Sequence, residues 1–490
     1  MATRKLALRA LSIIAPCAVA SCGSDSTPAP SSTSIPAAPT YAVGGTVTGL
    51  QGAGLVLELN GSDDLAVSSD GSFGFVRQLQ SGQTYSVTIK SQPTLARELC
   101  VASSASGTLV IGNVSNIAIQ CSMLLGYVYA VTAPHENLIV TYGIVAATGA
   151  LLPTGTPVLS GVYPTSMVVT PSGSSLYISN FGFGTILSYS IDAATGALTP
   201  VGSPISAGAN PSSMVVAPSG RFLYVADTTA RVIDTYAIDP TTGELTSSGA
   251  PLSVASYGNG GNGQFAITPD GKHLYTVIDC GCTTSPSLAA FNVDTSTGVL
   301  TAGVTLAVTG TVFGMTMDPR GQFLYLLQDN PTGPQGPPNI DSSLVTPYQI
   351  DATTGALTNP GVSTTVPGSV GDLAVNPDGA LGYTIDGFNA TAQDDHVSAF
   401  QVRAPSNLWW SVGADQETLG IPLRVICDPS SQFVFVANTH AAGADPWYDV
   451  VSYQITDNNA NPSYGELTPA GLGTQVPADE SGQALIAVVE

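Results

Sequence analysis

The chain has 490 residues, of which 43% are hydrophobic and only 9% are Asp, Glu, Lys or Arg, and its formal net charge is −22. An acidic surface repels the phosphate backbone of nucleic acids, which excludes nucleic-acid binding as a function. The length suffices for two hydrophobic cores, and a low content of charge combined with 53 glycines is typical of an all-β protein outside the cytoplasm.

Residues 1–21 have the pattern of a secretory signal, with a basic start at Arg4, Lys5 and Arg9 and then an apolar run too short to span a membrane. The sequence Val-Ala-Ser-Cys that ends at Cys22 resembles a bacterial lipobox, whose cysteine becomes the lipidated first residue. The alternative is ordinary cleavage beside an incidental cysteine. No Asp follows Cys22 directly, so the resemblance implies the outer membrane, on its periplasmic or cell-surface side, with the lipid as the only membrane contact.

A tether and a small domain follow the signal. Residues 22–40 are rich in Ser, Pro, Ala and Thr and predict a flexible tether. Residues 41–122 contain short apolar segments between Gly, Asn, Asp and Pro turns, which predicts a small β-sandwich that resembles immunoglobulin- or transthyretin-like modules. Cys100 and Cys121 are expected to form a disulfide that stabilises this module by roughly 3 kcal/mol. We interpret the module as a spacer or adhesion domain.

The segment Asn210–Thr246 contains the unit from which the remaining chain is built. An apolar strand leads to the turn Pro-Ser-Gly at 218–220, and a second strand, Phe222–Ala226, runs back. A third strand over 232–238 ends at the turn Asp-Pro-Thr-Thr-Gly at 239–243, after which a fourth begins. Pro presets φ for a turn and Gly supplies a positive φ, so the unit is predicted to be a four-stranded antiparallel meander.

The unit recurs along the chain at the spacing of propeller blades. The first-turn prolines, at 171, 218, 269, 319, 377 and 429, are separated by 47, 51, 50, 58 and 52 residues. Second strands of this kind number seven, and residues 123–490 therefore predict a seven-bladed β-propeller. The first blade lacks its innermost strand, and the apolar C-terminal segment over 484–490 is expected to fill that place and close the ring.

The repeated strings resemble the lactonase-type seven-bladed propeller family, which includes 6-phosphogluconolactonases and cycloisomerase-like proteins. The strings are Pro-[Ser/Asp]-Gly-x-x-Leu-Tyr-Val-[Ala/Ser]-[Asn/Asp] and Tyr-x-Ile-Asp-x-x-Thr-Gly-x-Leu-Thr. The resemblance covers residues 124–490 and implies an all-β chain with a small N-terminal β-sandwich and a propeller. Because these motifs build blades, they say little about chemistry.

One mouth of the central channel is the expected site, since innermost strands begin and second strands end there. The innermost-strand positions are Ser166, Ser213, Gln264, Gly314, Asp372 and Arg424. The second-strand ends are Asn180, Asp227, Asp279, Asp329, Asp386 and Asn438, with His440 just beyond.

A lactone hydrolase needs a base to activate water and a cation or N–H donors for the oxyanion. His440 or Asp386 is the candidate base, and Arg424 is the candidate oxyanion partner. The alternative for Arg424 is a structural counter-ion of Asp372. Three further residues, Gln264, Asp227 and Asn180, are candidate ligand contacts together with Asp372, although Asn and Asp at strand ends are also ordinary turn formers.

The chain departs from the family at the starts of its innermost strands. Active family members tend to carry His there, whereas this chain has none at those positions. We therefore expect a propeller that binds a small molecule or an envelope protein at the channel mouth, with exposed Trp409, Trp410 or Trp447 as one sign of such binding. The alternative function is a metal-independent hydrolase that opens a sugar or other lactone. In either case the chain is expected to act as a monomer without cofactor.

The remaining cysteines and acidic loops carry weaker signals. Cys280 and Cys282 are expected to form a tight local disulfide rather than half of a zinc site. Cys427 falls in an innermost strand and is predicted to be a buried, unreactive thiol. Acidic loops at 394–395 and 457–461 lack the spacing of a calcium loop, so no metal site is predicted.

Overall fold

A computed structural model of the chain describes fourteen stretches, and the regular elements in them are strands. The described residues are 38–132, 137–255, 264–279, 286–330, 342–359, 361–368, 370–386, 395–403, 407–418, 420–440, 447–456, 465–470, 474–477 and 485–489. The predicted signal, Cys22, Cys280 and Cys282 lie outside them. None of these stretches contains a helix long and apolar enough to cross a membrane.

The N-terminal domain is a β-sandwich with its own hydrophobic core. One sheet consists of Asp63–Val67, Leu55–Leu59, Thr84–Ser91 and Ser106–Thr108. The other consists of Gly71–Gly74, Val43–Thr48, the first half of Val114–Thr132, and Glu98–Ser103, and a ribbon pairs Thr40–Tyr41 with Leu79–Gln80. A disulfide joins Cys100 and Cys121, which face each other across two neighbouring strands of the second sheet.

The propeller has seven blade sheets, numbered here from the innermost strand outward within each blade. Blades 1 to 3 are formed by Ile486–Val489, the second half of Val114–Thr132, Leu138–Val145 and Leu151–Leu159; by Pro164–Val169, Ser175–Asn180, Thr185–Ile191 and Leu198–Ser206; and by Pro211–Val216, Phe222–Asp227, Val232–Ile238, Leu245–Ser247 and Leu252–Ser253. Blades 4 and 5 are formed by Phe265–Ile267, His273–Asp279, Pro286–Val293 and Leu300–Ala307, and by Val312–Met317, Phe323–Asp329, Ser342–Ile350, Leu357–Thr358 and Thr364–Pro367. Blades 6 and 7 are formed by Val370–Val375, Leu381–Asp386, His396–Arg403 and Leu408–Glu417, and by Ile421–Cys427, Phe433–His440, Trp447–Ile455, Leu467–Pro469 and Thr474–Pro477.

The C-terminal strand closes the ring. Ile486–Val489 pairs antiparallel with the second strand of blade 1, with Val489 opposite Tyr127 and Ile486 opposite Ala130. Each innermost strand also contacts the innermost strands of the two adjacent blades, and Ile486–Val489 contacts those of blades 2 and 7. The first blade is therefore built from both ends of the propeller sequence.

A single strand joins the two domains. Val114–Thr132 pairs with the sandwich strands up to Met123 and with blade 1 from Leu124 onward. Because second strands run toward the channel mouth, the sandwich lies below the opposite rim. Arg97 strengthens this junction, since its guanidinium donates to the carbonyl of Leu125 at 2.9 Å and its backbone N–H donates to the carbonyl of Ala194 in blade 2.

The two repeated motifs bind neighbouring blades to each other. The buried second-strand tyrosine of one blade donates its hydroxyl to the glycine carbonyl of the Thr-Gly turn in the next blade. The pairs are Tyr129 with Gly196, Tyr177 with Gly243, Tyr224 with Gly298 and Tyr275 with Gly355. Third-strand tyrosines donate in the reverse direction, for example Tyr236 to the carbonyl of Ser206 at 2.7 Å. The strings thus encode contacts between blades as well as turns within them.

We expect Tyr177→Phe to lower the free energy of unfolding by about 1–2 kcal/mol, because it leaves the buried carbonyl of Gly243 without this donor. Burial raises the pKa of Tyr177 to about 12, so its hydroxyl stays a donor throughout the physiological range. Urea unfolding of the variant measures the effect. The matched control is Tyr163→Phe, whose ring is exposed, and an equal loss in both variants would contradict the interblade role.

Candidate site at the channel mouth

Innermost strands begin at the same rim where second strands end. Pro164 lies opposite Asn180 in blade 2, Pro211 opposite Asp227 in blade 3, and Val370 opposite Asp386 in blade 6. The pairing slips by one residue directly after each of these positions, so every innermost strand begins with a bulge. Bulges at barrel rims redirect side chains, and here they determine which residues meet the neighbouring blade.

The bulge side chains bind the innermost strand of the next blade. Ser166 Oγ accepts the N–H of Met214 at 3.1 Å, and the amide of Gln264 donates to the carbonyl of Phe313 at 3.4 Å. Asp372 follows the same rule, since its Oδ2 accepts the N–H of Val425 at 3.2 Å. These side chains therefore hold the ring together, and Gln264 has a structural partner in addition to any ligand.

The structure brings Asp372 and Arg424 together at the mouth. Arg424 Nη1 lies 3.7 Å from Asp372 Oδ1, the Arg side chain is 36% exposed and the Asp side chain is 15% exposed. Burial raises the pKa of the Asp372 carboxyl above its ordinary value of 3.8, while Arg424 and the N–H of Val425 act in the opposite direction. Arg424 is the one Lys or Arg among the described innermost strands. The pair combines a desolvated carboxylate with a partly exposed guanidinium.

The acidic ends of the second strands hold loops. Asp227 is buried and accepts the N–H groups of Ala209, Thr229 and Ala230, each at 2.9 Å. Asp386 packs in the same way against Gly368, where an added Cβ would lie 1.5 Å from its carboxylate. These contacts favour the turn-forming role that strand-end Asp residues commonly have.

The amide side chains at this rim are also buried. Asn180 packs against Gly161, and its Oδ1 has no hydrogen-bond partner among the described residues. Asn438 donates to Asp449 at 2.8 Å. His440 is the last residue of the second strand of blade 7, opposite Trp447, and its side chain is outside the described part, as is that of Asp279. Within the described residues, no three His, Cys, Asp or Glu side chains are grouped as metal ligands.

Sequence reasoning missed an aromatic cluster on the same face of the propeller. We call Tyr163, Phe181 and Phe183 the rim aromatics; they are 56%, 49% and 71% exposed. The N–H of Phe181 donates to the carbonyl of Tyr163 at 2.9 Å, which joins the two loops of blade 2. Tyr163 has a φ of +52° directly before a proline, a conformation that a bulky residue rarely adopts. The string Phe-Gly-Phe-Gly at 181–184 was the available signal.

The tryptophans lie elsewhere. Trp409 is buried against Tyr325 and Phe400, in the outermost strand of blade 6. Trp410 is exposed and its ring carries the Arg403 guanidinium at 5.2 Å. The third cysteine expectation concerns Cys427, which lies in the innermost strand of blade 7, where burial raises the pKa of its thiol.

Comparisons with known proteins agree with this architecture. Residues 151–258 match the family model described as "Lactonase, 7-bladed beta-propeller". The chain is similar to crystal structures of a "putative 6-phosphogluconolactonase" from Bacteroides uniformis (17% identity, TM-score 0.56, covering 74% of this chain and 99% of that chain) and from Bacteroides fragilis (19%, 0.56, 74% and 98%). It is also similar to the periplasmic gluconolactonase of Pseudomonas aeruginosa (15%, 0.52, 74% and 99%). No curated protein sequence matches it.

The match and the structural likeness confirm two predictions from the sequence. The repeated turns predicted a lactonase-type propeller, and the family model that matches residues 151–258 has that description. The chain is all-β, with a seven-bladed propeller, as predicted.

Proposed function

We propose that the propeller hydrolyses a lactone at the channel mouth, with Asp372 and Arg424 as the catalytic residues. The observation that carries the proposal is the pairing of a desolvated carboxylate with a partly exposed guanidinium at that mouth. The family match and the gluconolactonase likeness support it. It replaces binding alone, which the absence of His at the innermost-strand starts favoured, because a base and an oxyanion partner are available without His.

The proposed step requires only protein groups and water. The Asp372 carboxylate takes a proton from a water molecule as its oxygen bonds to the lactone carbonyl carbon, and Arg424 stabilises the resulting oxyanion. Collapse of the tetrahedral intermediate breaks the bond between the carbonyl carbon and the ring oxygen. The ring oxygen receives the proton held by Asp372 and leaves as a hydroxyl group, and the other product end is a carboxylate.

The charges at the mouth favour an uncharged lactone over a phosphorylated one. Phosphate recognition needs cations or clustered N–H donors. Arg424 is the single basic residue of the described innermost strands, and Asp372 already offsets its charge. A neutral lactone avoids repulsion by the net charge of −22.

The pH dependence of turnover tests the assignment of Asp372. Since burial raises its pKa, the basic form is present only above a midpoint higher than 3.8. We expect kcat/KM to fall as the pH drops through that midpoint, and Asp372→Asn to lower kcat by roughly 10²–10⁴. Asn keeps an oxygen acceptor for the N–H of Val425, so the variant should fold normally.

Glu244→Gln is the matched control, because this exposed carboxylate lies in the turn region of the opposite rim. It should leave kcat and its pH profile unchanged. Full activity in Asp372→Asn, with an unchanged acid limb, would remove Asp372 from the mechanism.

The rim aromatics favour a second role for the same face, the binding of a flat or ring-shaped ligand. We expect Phe183→Ala to weaken substrate or ligand binding roughly two- to ten-fold, measured as KM or by calorimetry, because aromatic stacking contributes about 0.5–1.5 kcal/mol. Val304→Ala is the control, since Val304 is similarly exposed in the outermost strand of blade 4. Equal binding by both variants would exclude the rim aromatics from the site.

We also propose that the chain is exported and anchored at Cys22 in the outer membrane. The lipobox-like sequence at 19–22 and the Ser- and Pro-rich segment over 22–40 support this. The mass of the N-terminal peptide of the mature protein, which includes the acyl chains if Cys22 is lipidated, tests it directly.

A further inference from the structure

Three aliphatic side chains of the sandwich are almost fully exposed. Val76, Val110 and Ile111 are 94%, 69% and 88% exposed, and we call them the apolar tip. Transferring such side chains from water into an apolar phase is favourable, and single exposed aliphatics are common, but three on adjoining loops form a patch.

The apolar tip lies at the end of the sandwich farthest from the propeller. The shared strand begins at Val114 and enters the propeller at Leu124, so the loop that carries Val110 and Ile111 is at the far end. Ser81 Oγ donates to the carbonyl of Val110 at 2.7 Å, which joins two loops of this end. The N–H of Phe75 donates to the carbonyl of Val43, which places Val76 beside the first long strand.

The described chain starts at this same end. The carbonyl of Pro39 accepts the N–H of Ser81, and the carbonyl of Ala42 accepts the N–H of Val114. The segment from Gly23 to Ala37 would therefore connect the apolar tip to a lipidated Cys22. Fully extended, these fifteen residues span at most about 50 Å, so the tip would remain close to the membrane surface.

The charge distribution at the tip differs from that of the whole chain. The adjoining segments 38–43, 75–83 and 109–114 contain no Asp or Glu, and Arg77 is their single charged residue. Elsewhere 34 acidic residues face 12 basic ones. An acidic body is repelled by anionic headgroups, whereas an apolar tip with one Arg is compatible with them.

We propose that the apolar tip inserts into the interfacial region of the lipid bilayer and orients the propeller away from it. The inference rests on the proposed anchor for its geometry, and it adds a direct contact between protein and lipid to the lipid anchor. Shallow apolar side chains act with an acyl chain as a second membrane signal. The channel mouth would then face away from the membrane, because the sandwich lies below the opposite rim.

Quenching by brominated lipid tests the proposal. Lipidated full-length protein is reconstituted in phosphatidylethanolamine–phosphatidylglycerol vesicles as the wild type, Ile111→Trp and Leu95→Trp. Leu95 is a matched control because it is a partly exposed aliphatic residue at the propeller end of the sandwich. We expect brominated acyl chains to abolish most of the emission that Ile111→Trp adds over the wild type, and to leave the emission of Leu95→Trp unchanged.

The alternative outcomes separate the tip from the anchor. No added quenching in Ile111→Trp would overturn the proposal, and so would equal quenching in both variants, since the sandwich would then lie flat. The N-terminal peptide mass reports lipidation separately. If Cys22 proves unlipidated, the same contrast is measured with the unlipidated chain at millimolar lipid, where selective quenching supports the tip and its absence overturns it. Protection of Ile111→Trp by an envelope protein, without brominated-lipid quenching, would also overturn it.

Discussion

Replacing Arg424 with Ala is expected to lower kcat for lactone opening by roughly 10²–10³, the loss typical of removing one oxyanion donor. The guanidinium is the one basic group of the described innermost strands, and it lies 3.7 Å from the proposed base. Its loss also removes a charge that lowers the pKa of Asp372. The acid limb of the pH–rate profile should therefore move to higher pH in the variant. Hydrolysis of a lactone panel that includes uncharged and phosphorylated sugar lactones measures both effects.

Arg403→Ala is the matched control for this experiment. Arg403 ends the third strand of blade 6 near the opposite rim, where it bonds Gln401 and covers Trp410. Its loss should leave turnover unchanged. Turnover that survives in Arg424→Ala would retain an enzyme but discard the site. No turnover of any lactone by the wild type would leave ligand binding at the rim aromatics as the function.

Deleting residues 485–490 is expected to abolish cooperative folding of the propeller. The deletion removes the innermost strand of blade 1 and the buried side chains of Leu485 and Val489, which pack in the core between blades 1 and 2. Each buried aliphatic contributes about 1.5–3 kcal/mol, and the pairing edge of residues 127–130 becomes exposed. The total approaches the 5–15 kcal/mol that stabilises an ordinary domain. Circular dichroism and urea unfolding measure the loss.

The controls for the deletion are graded. Removing Glu490 alone should have no effect, and Leu485→Ala should lower the free energy of unfolding by about 2–5 kcal/mol while preserving the ring. If the chain without residues 485–490 unfolds at the wild-type urea concentration, the strand does not close the ring.

The repeated turns could be predicted because they depend on local chemistry. Pro-Ser-Gly at 218–220 and the Thr-Gly turn that ends at Gly243 require residues with preset or positive φ. The partners of those turns could not be predicted. Nothing local indicates that the carbonyl of Gly243 accepts from Tyr177, because the two residues lie 66 positions apart in the chain and meet only when blades pack.

The site shows the same division. Counting back from each turn proline placed Asp372 and Arg424 on neighbouring innermost strands, and the structure joins them. Strand-end Asp227 and Asp386 were equally plausible ligands from the sequence, yet each holds a glycine-containing loop. The rim aromatics were missed because exposure and the positive φ of Tyr163 are properties of packed loops.

By itself the sequence determined the all-β class, the blade repeat and the acidic character, since strand alternation, turn residues and charge are local properties. Only the tertiary structure decided that Val114–Thr132 belongs to both domains, because its apolar run reads the same on either side of the junction. It also decided which carboxylates hold loops and which one meets Arg424. Those roles depend on burial and on hydrogen-bond partners supplied by other blades, and neither exists until the ring has closed.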